Sequence, residues 1–403
     1  MKYRHDTVTA LLGAFAMLFA AAGPAPAAEP AMTGSAQTLE ARFQVELDTC
    51  RDRYGFPGAT AAYILPNGET GVAATGLADV ELKTPMTPQS RMLAASIGKT
   101  FVGATVLALA QEGRLRLDDP ISTWLSNRPW FSRLPNHDKI TLRHLLTHSA
   151  GLPDHIYLKS YQETFAKKWR EPGNPFPPEA LVAFILDQPP LFEPGKGWAY
   201  TDTGYILIGL IIEEVSEHSF YEEVTQRFLV PLRMGLTTPS NSRIIPGLAA
   251  GYLPAKNKYG LEPKTTMAPG IMVWNPAREW TGGGFASNPR DLVVWAKALY
   301  EGHAMKGGYL KELMRSVPAG EGSNGRYGAG VGIHENGPLG SSYGHGGGIP
   351  GYTSSMRYYP EYRVAIAFQI NTDGGISTNT KFRPYYGEME QRLAELVVAA
   401  VKK

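Results

Sequence analysis

In TLEARFQVELDTCRDRYG, residues 38 to 55, Leu39, Phe43, Leu47 and Cys50 recur every three or four positions, which marks one apolar face of a helix. The next stretch, ATAAYILPNGETGVAATG (59 to 76), breaks at Asn67-Gly68, a dipeptide that tolerates the left-handed backbone of a tight turn. It predicts two antiparallel strands. Near the other end, SSMRYYPEYRVAIAFQINTD (354 to 373) predicts a second strand pair. It is followed by EMEQRLAELVVAAVK, whose Met389, Leu393, Leu396, Val397 and Ala400 form another helical stripe. The two ends of the chain mirror each other.

Between about Ser96 and Ala286 the pattern turns mostly helical, with the Pro-rich connectors REPGNPFPPE (170 to 179) and QPPLFEPGKG (188 to 197). No internal repeat is visible. The chain therefore predicts an α/β (α+β) fold in one domain over about 36–400. An antiparallel sheet region (about 36–95 and 287–400) is built from both chain ends and covered by the terminal helices, and a mostly helical region (about 96–286) is inserted.

LAASIGKTFVGATVLALA (93 to 110) puts Ser96 and Lys99 three places apart at the start of a helical stretch. Gly98-Lys99-Thr100 imitates the end of a phosphate-binding loop, but position 93, where that loop needs glycine, is Leu. Residues i and i+3 share a helical face, so the amine can lie beside the hydroxyl. Serine needs a base to act as a nucleophile, and desolvation together with the helix dipole favours a neutral Lys99. The unpaired N–H groups of the same helix start could hold an oxyanion. The alternative is that Ser96 merely caps the helix.

Composition narrows the partners. At 403 residues, 43% hydrophobic and 19% charged, the chain can bury a large core. Its 39 Lys and Arg against 37 Asp and Glu leave a net charge of +2, with no basic stripe, so no nucleic-acid partner is expected. The first residues carry Lys2 and Arg4, then an apolar run through Ala22, then small residues around Ala25, Ala27 and Ala28. This reads as a cleavable secretory signal over residues 1–28, with an uncleaved anchor as the alternative. A periplasmic or secreted bacterial protein is expected, without stable membrane insertion after cleavage. Cys50, the sole cysteine, cannot form an intrachain disulfide.

Two further stretches carry chemistry. EPGKGWAYTDTGYILIGLIIEEVS (193 to 216) places Tyr200 at a helix entry just before Asp202, and SYGHGGGIPGYTSSMRYYP (342 to 360) places His345 among glycines on a strand. Ser96-Ile97-Gly98-Lys99, then Tyr200-Thr201-Asp202, then His345-Gly346-Gly347 resembles the serine beta-lactamase and penicillin-binding-protein superfamily. The resemblance is closest to its class C, D-alanyl-D-alanine carboxypeptidase and family VIII esterase branch. It extends through ITLRHLLTHSAGLP (140 to 153) and TGGGFASNPRDLVVWAKAL (281 to 299) over most of residues 40 to 400. It implies that Ser96 is the acylated nucleophile, that Lys99 and Tyr200 shuttle protons, and that His345 and Gly346-Gly347 stand on the strand lining the site. The N–H of Gly348 would be the second oxyanion donor. No cofactor and no metal are implied.

Two departures from that pattern matter. Asp202 stands where the superfamily usually has Asn; a carboxylate only accepts, and would keep Lys99 protonated and hand more of the base role to Tyr200. His345 stands where Lys is common and is mostly neutral at pH 7. Both weaken recognition of a free carboxylate, and whether Arg143 or Arg357 restores positive charge is left to the fold.

Rival motifs fit less well. Thr147-His148-Ser149-Ala150-Gly151 and His345 through Gly348 imitate an α/β-hydrolase elbow and its glycine loop, but in reversed chain order and without the required strand before the elbow. His144 and His148, four apart, lack the Glu of a zinc-binding helix. Trp130, Tyr157, Trp169 and Trp274 could line a groove or fill the core. The expected activity is that of an exported serine hydrolase taking an amide, ester or lactam through a Ser96 acyl-enzyme. The alternatives are a D-amino-acid peptidase or penicillin-binding carboxypeptidase meeting peptidoglycan fragments, and a non-catalytic binding or sensing protein.

Overall fold

The hairpin closes at Asn67-Gly68, where Gly68 takes φ +88°, and β1 (Gly58–Ile64) pairs antiparallel with β2 (Thr70–Asp79) from Ile64↔Thr70 to Gly58↔Gly76. The computed structural model describes residues 37–171, 173–257, 259–320, 324–373 and 382–402. The expected signal over 1–28 lies outside them. Beside β3 (Thr84–Pro85), the late chain supplies β4 (Val317–Pro318), β5 (Gly325–Tyr327), β6 (Gly332–Gly337), β7 (Gly340–Ile349), β8 (Tyr352–Tyr359) and β9 (Val364–Ile370). These form one antiparallel sheet in the order β3-β2-β1-β9-β8-β7-β6-β5-β4. The early and late chain join at β1 and β9, through pairs such as Ala59↔Ile370 and Ile64↔Ala365.

The helices that frame the site are α1 (Leu39–Tyr54), α2 (Lys99–Gln111), α3 (Leu142–Leu146), α4 (Asp202–Ser216), α5 (Pro289–Tyr300) and α6 (Phe382–Val401). Because successive strand residues point to opposite faces, Val364, Ile366, Phe368 and Ile370 meet Phe43 and Leu47 of α1 and Leu393 and Val397 of α6. Full burial of each such side chain is worth roughly 1.5–3 kcal/mol. Ala365 and Ala367 face the other way, and these small side chains let α5 lie on the sheet through Leu292, Val293 and Trp295. Thr38 caps α1 by accepting from the Ala41 N–H at 3.2 Å, and Gly55 (φ +71°) ends it.

The inserted region packs on the α5 side. From Lys99 to Leu109 every residue of α2 is buried, as is α4 from Asp202 to Ile212, so both run through the interior. Trp295 Nε1 of α5 donates to Thr100 Oγ1 of α2 at 2.7 Å, which ties the region to the sheet. Short strands join the region to its flanks: Met92–Leu93, Thr238–Pro239 and Phe285–Ser287 make a small three-stranded sheet beside the start of α2. Among the described residues no helix is long and apolar enough to cross a membrane.

Candidate active site

Ser96 sits on a tight 3₁₀ turn, Ala95–Gly98, that runs straight into α2. The turn is clamped from two sides, with the Ala94 N–H donating to Phe285 O at 2.8 Å and Ser354 Oγ of β8 donating to Ala94 O at 2.7 Å. Ala95 takes φ +49°, a left-handed conformation that costs a residue with a Cβ about 1–2 kcal/mol. Glycine is required where other chains press on this turn. A Cβ at Gly283 would lie 2.4 Å from the Ala95 carbonyl carbon, and one at Gly347 would lie 2.2 Å from Ala94 O. No side-chain cap is present at the start of the turn or of α2, so Ser96 does not serve as one.

Lys99 is fully buried, and its Nζ donates to Ser96 Oγ at 3.2 Å, to Asp202 Oδ1 and to Gly282 O. Three acceptors match the three protons of an ammonium. Asp202 opens α4, one residue after the cap Thr201, where the positive end of the helix suits its carboxylate. The Asp202 N–H in turn donates to Asp154 Oδ2 at 3.2 Å, and the Ile156 N–H donates to Asp154 Oδ1 at 3.2 Å. Burial, and then the nearby Asp202 carboxylate, push the Asp154 carboxyl up to about 8, against the pull of those two N–H groups and of Lys99.

The Tyr200 hydroxyl is buried beside Ser96. Burial, followed by the Asp202 carboxylate, raises it well above the ordinary phenol value, while Ser96 beside it works the other way. Its ring centroid lies 4.9 Å from Lys99 Nζ and 4.2 Å from the His148 ring. On β7, His345 is buried and pushed down to about 3, by desolvation first and Lys99 second, so its ring is neutral. His345 Nε2 meets the Tyr327 hydroxyl at 2.8 Å.

Ser96, Tyr200, Asp202 and Gly348 line one cavity of about 170 Å³, and Asp154, Arg278 and Glu279 share its wall. Tyr157, Tyr161, Phe165 and Tyr259 also line it and make it partly aromatic. Gly346 and Gly347 do not line it; they act by allowing close packing, a Cβ at Gly346 falling 2.6 Å from the Tyr386 hydroxyl. Arg143 pairs with Asp118 and Glu312, and Arg357 with Glu390, so neither supplies charge to the cavity. Arg278 does lie there, held by Tyr161 Oη at 2.7 Å and by Glu279 at 2.9 Å.

Other sequence candidates go elsewhere. Ser149 is buried against Thr147 Oγ1 at 2.9 Å, away from the cavity. His144 and His148 do not share a helical face, because α3 stops at Leu146 and His148 turns to φ +57°. Among the described residues no group of three His, Cys, Asp or Glu could hold a metal ion. Of the four singled-out aromatics, Tyr157 reaches the cavity, while Trp169 and Trp274 are buried. Sequence reading missed Asp154, Gly282, Arg278 and Tyr327. Asp154 alone left a local trace, its side chain accepting from the N–H two residues on, as Asx turns do.

A family model described as Beta-lactamase matches residues 38–385. The chain belongs to the beta-lactamase family. D-amino acid amidase from Ochrobactrum anthropi SV3, solved with D-phenylalanine, is 27% identical with a TM-score of 0.74, over 90% of this chain and 99% of that one. D-stereospecific amidohydrolase from Streptomyces sp. is 26% identical with a TM-score of 0.71, over 83% and 95%. Penicillin-binding protein 4* of Bacillus subtilis (strain 168) is 26% identical over 310 residues, 74% of this chain. The chain spans 64% of that relative's length, and 34% of Protein flp from Staphylococcus aureus (strain MW2).

Proposed function

We propose that this beta-lactamase-family protein is a serine hydrolase that acylates Ser96 with an amide or ester lacking a free carboxylate, then deacylates with water. The observation that carries this reading is Lys99 Nζ, bonded at once to Ser96 Oγ and Asp202 at the wall of the cavity. With its protons committed, Lys99 serves as a fixed positive charge beside the nucleophile. Ser96 Oγ attacks the carbonyl carbon; its proton passes to Tyr200 Oη as Tyr200's own proton passes to the leaving nitrogen or oxygen. No free phenolate forms, consistent with a buried hydroxyl that resists ionisation. The N–H groups of Ser96 and Gly348 hold the oxyanion. In the second half, water takes the leaving group's place and the proton path reverses.

At neutral pH Asp154 keeps its proton, Lys99 pairs with Asp202 and Arg278 with Glu279, so the wall holds its charges in pairs, which suits an uncharged substrate. Two structural relatives carry amidase and amidohydrolase names, which supports an amide. A second reading, a cell-wall D-peptide carboxypeptidase acting on peptidoglycan fragments, is favoured by Arg278, a guanidinium on the cavity wall. Export to the periplasm or exterior rests on the N-terminal pattern of charge, apolar run and small residues.

The test is intact-mass measurement against esters, D-amino-acid amides, D-peptides and beta-lactams, with turnover followed in parallel. Ser96→Ala should abolish the adduct and cut turnover on the order of a millionfold, as loss of other activated serines does. An adduct on Ser149 would sink the assignment. Labelling without turnover would indicate a penicillin-binding or sensing role, and neither labelling nor turnover a non-catalytic protein.

A further inference from the structure

Tyr327 belongs to none of the three motifs, yet the structure sets it among them. It ends β5 opposite Gly332 of β6, which pairs with Gly344 of β7, the residue before His345. The side chain is buried, with its ring centroid 4.6 Å from that of His148 and 5.7 Å from that of His345. It stands at 88° to the Tyr200 ring, 6.3 Å away.

The two nitrogens of His345 have different neighbours. Nδ1 lies 2.5 Å from Gly346 O, and Nε2 lies 2.8 Å from Tyr327 Oη. A carbonyl oxygen can only accept, so the ring hydrogen sits on Nδ1. The lone pair of Nε2 then accepts the Tyr327 O–H, while the Tyr205 hydroxyl that also neighbours Tyr327 gives its own proton to Leu146 O at 2.8 Å.

We propose that Tyr327 is a positioning residue of the acyl-transfer site: with Gly346 O already holding the His345 ring hydrogen on Nδ1, the Tyr327 O–H occupies the Nε2 lone pair so that Tyr200 remains the sole proton carrier. Without the Tyr327 hydroxyl, Nε2 becomes an open base whose ring centroid lies 6.2 Å from that of Tyr200. The groups acting on His345 are Lys99 of α2 and Arg357 of β8, which oppose a charged ring, and Asp202 of α4, which favours one. His148, Tyr200 and Tyr327 are its other titratable neighbours. Removing the O–H that stabilises the neutral ring should therefore raise the His345 pKa.

This inference rests on reading Ser96 as the nucleophile, and its primary test needs no turnover. The full chain is labelled with ¹⁵N-histidine, the His345 ring signals are assigned by their loss in His345→Asn, and the spectrum is followed with pH. The wild type should show a protonated Nδ1 and a hydrogen-bonded, unprotonated Nε2, unchanged through neutral pH. Tyr327→Phe should keep the ring hydrogen on Nδ1 but shift the Nε2 signal to that of a nitrogen without a hydrogen bond and raise the pH at which it protonates, with kcat reduced by about tenfold, KM little altered, and a new acid-side inflection in the pH profile. An Nε2–H or doubly protonated ring in the wild type would overturn the inference. So would Tyr327→Phe with the wild-type Nε2 signal and pH profile, even if its Tm fell. A correct tautomer with no adduct on Ser96 would instead count against the hydrolase reading.

Discussion

Replacing Asp154 by Asn removes one titration together with one acceptor, since the single amide oxygen can accept from only one of the Asp202 and Ile156 N–H groups; the lost hydrogen bond does not vary with pH. In the folded protein the Asp154 carboxyl is pushed up to about 8, whereas an unfolded chain releases that proton near about 3.9. Between these values the folded state binds the proton more tightly. Stability from this group is therefore full at low pH and is lost as pH rises towards about 8, at up to about 1.4 kcal/mol per pH unit. Buried histidines run the other way. His155 and His345 are pushed down to about 4 and about 3, so the unfolded chain gains their protons first as pH falls below about 6.5. Their effect has levelled off above that point, which leaves a clean window from about pH 6.5 to about pH 8. Across it the wild type should lose up to about 2 kcal/mol relative to Asp154→Asn. Urea unfolding of both proteins at several pH values in that window measures the difference directly. Parallel stability curves, or a wild type that gains on the variant as pH rises, would refute a raised Asp154.

Tyr200→Phe deletes a buried hydroxyl beside Ser96, so stability should change by no more than about 1.5 kcal/mol while turnover falls by about a hundred- to ten-thousandfold; near-wild-type turnover in a steady-state assay would reject its proton role. Asp202→Asn should raise kcat/KM for a carboxylate-bearing ester relative to its neutral analogue by up to about tenfold, and an unchanged ratio would show that Asp202 does not set this preference. Gly283→Ala forces a Cβ to 2.4 Å from the Ala95 carbonyl carbon, so it should cost about 1–3 kcal/mol and slow Ser96 acylation; a wild-type urea midpoint would contradict the close approach.

How much of this was legible in the chain depends on how local each interaction is. The α1 stripe, the Asn67-Gly68 hairpin and the α6 stripe are written in residues at most a few places apart, and burial against one sheet face gives them a period. The contact between Ser96 and Lys99 spans three residues and follows from one helical turn. His144 and His148 mark the limit of that logic, for spacing alone did not reveal that the helix ends at Leu146. Nothing periodic announces that Asp154 holds the Asp202 N–H across 48 residues, that Gly282 O receives Lys99 across 183, or that Tyr327 meets His345 from two strands away. The motifs by themselves determined which residues could carry the chemistry. Only the tertiary structure decided the protonation of His345 and Asp154 and the charge of the cavity, because desolvation and Coulomb interactions depend on distance in space and not along the chain.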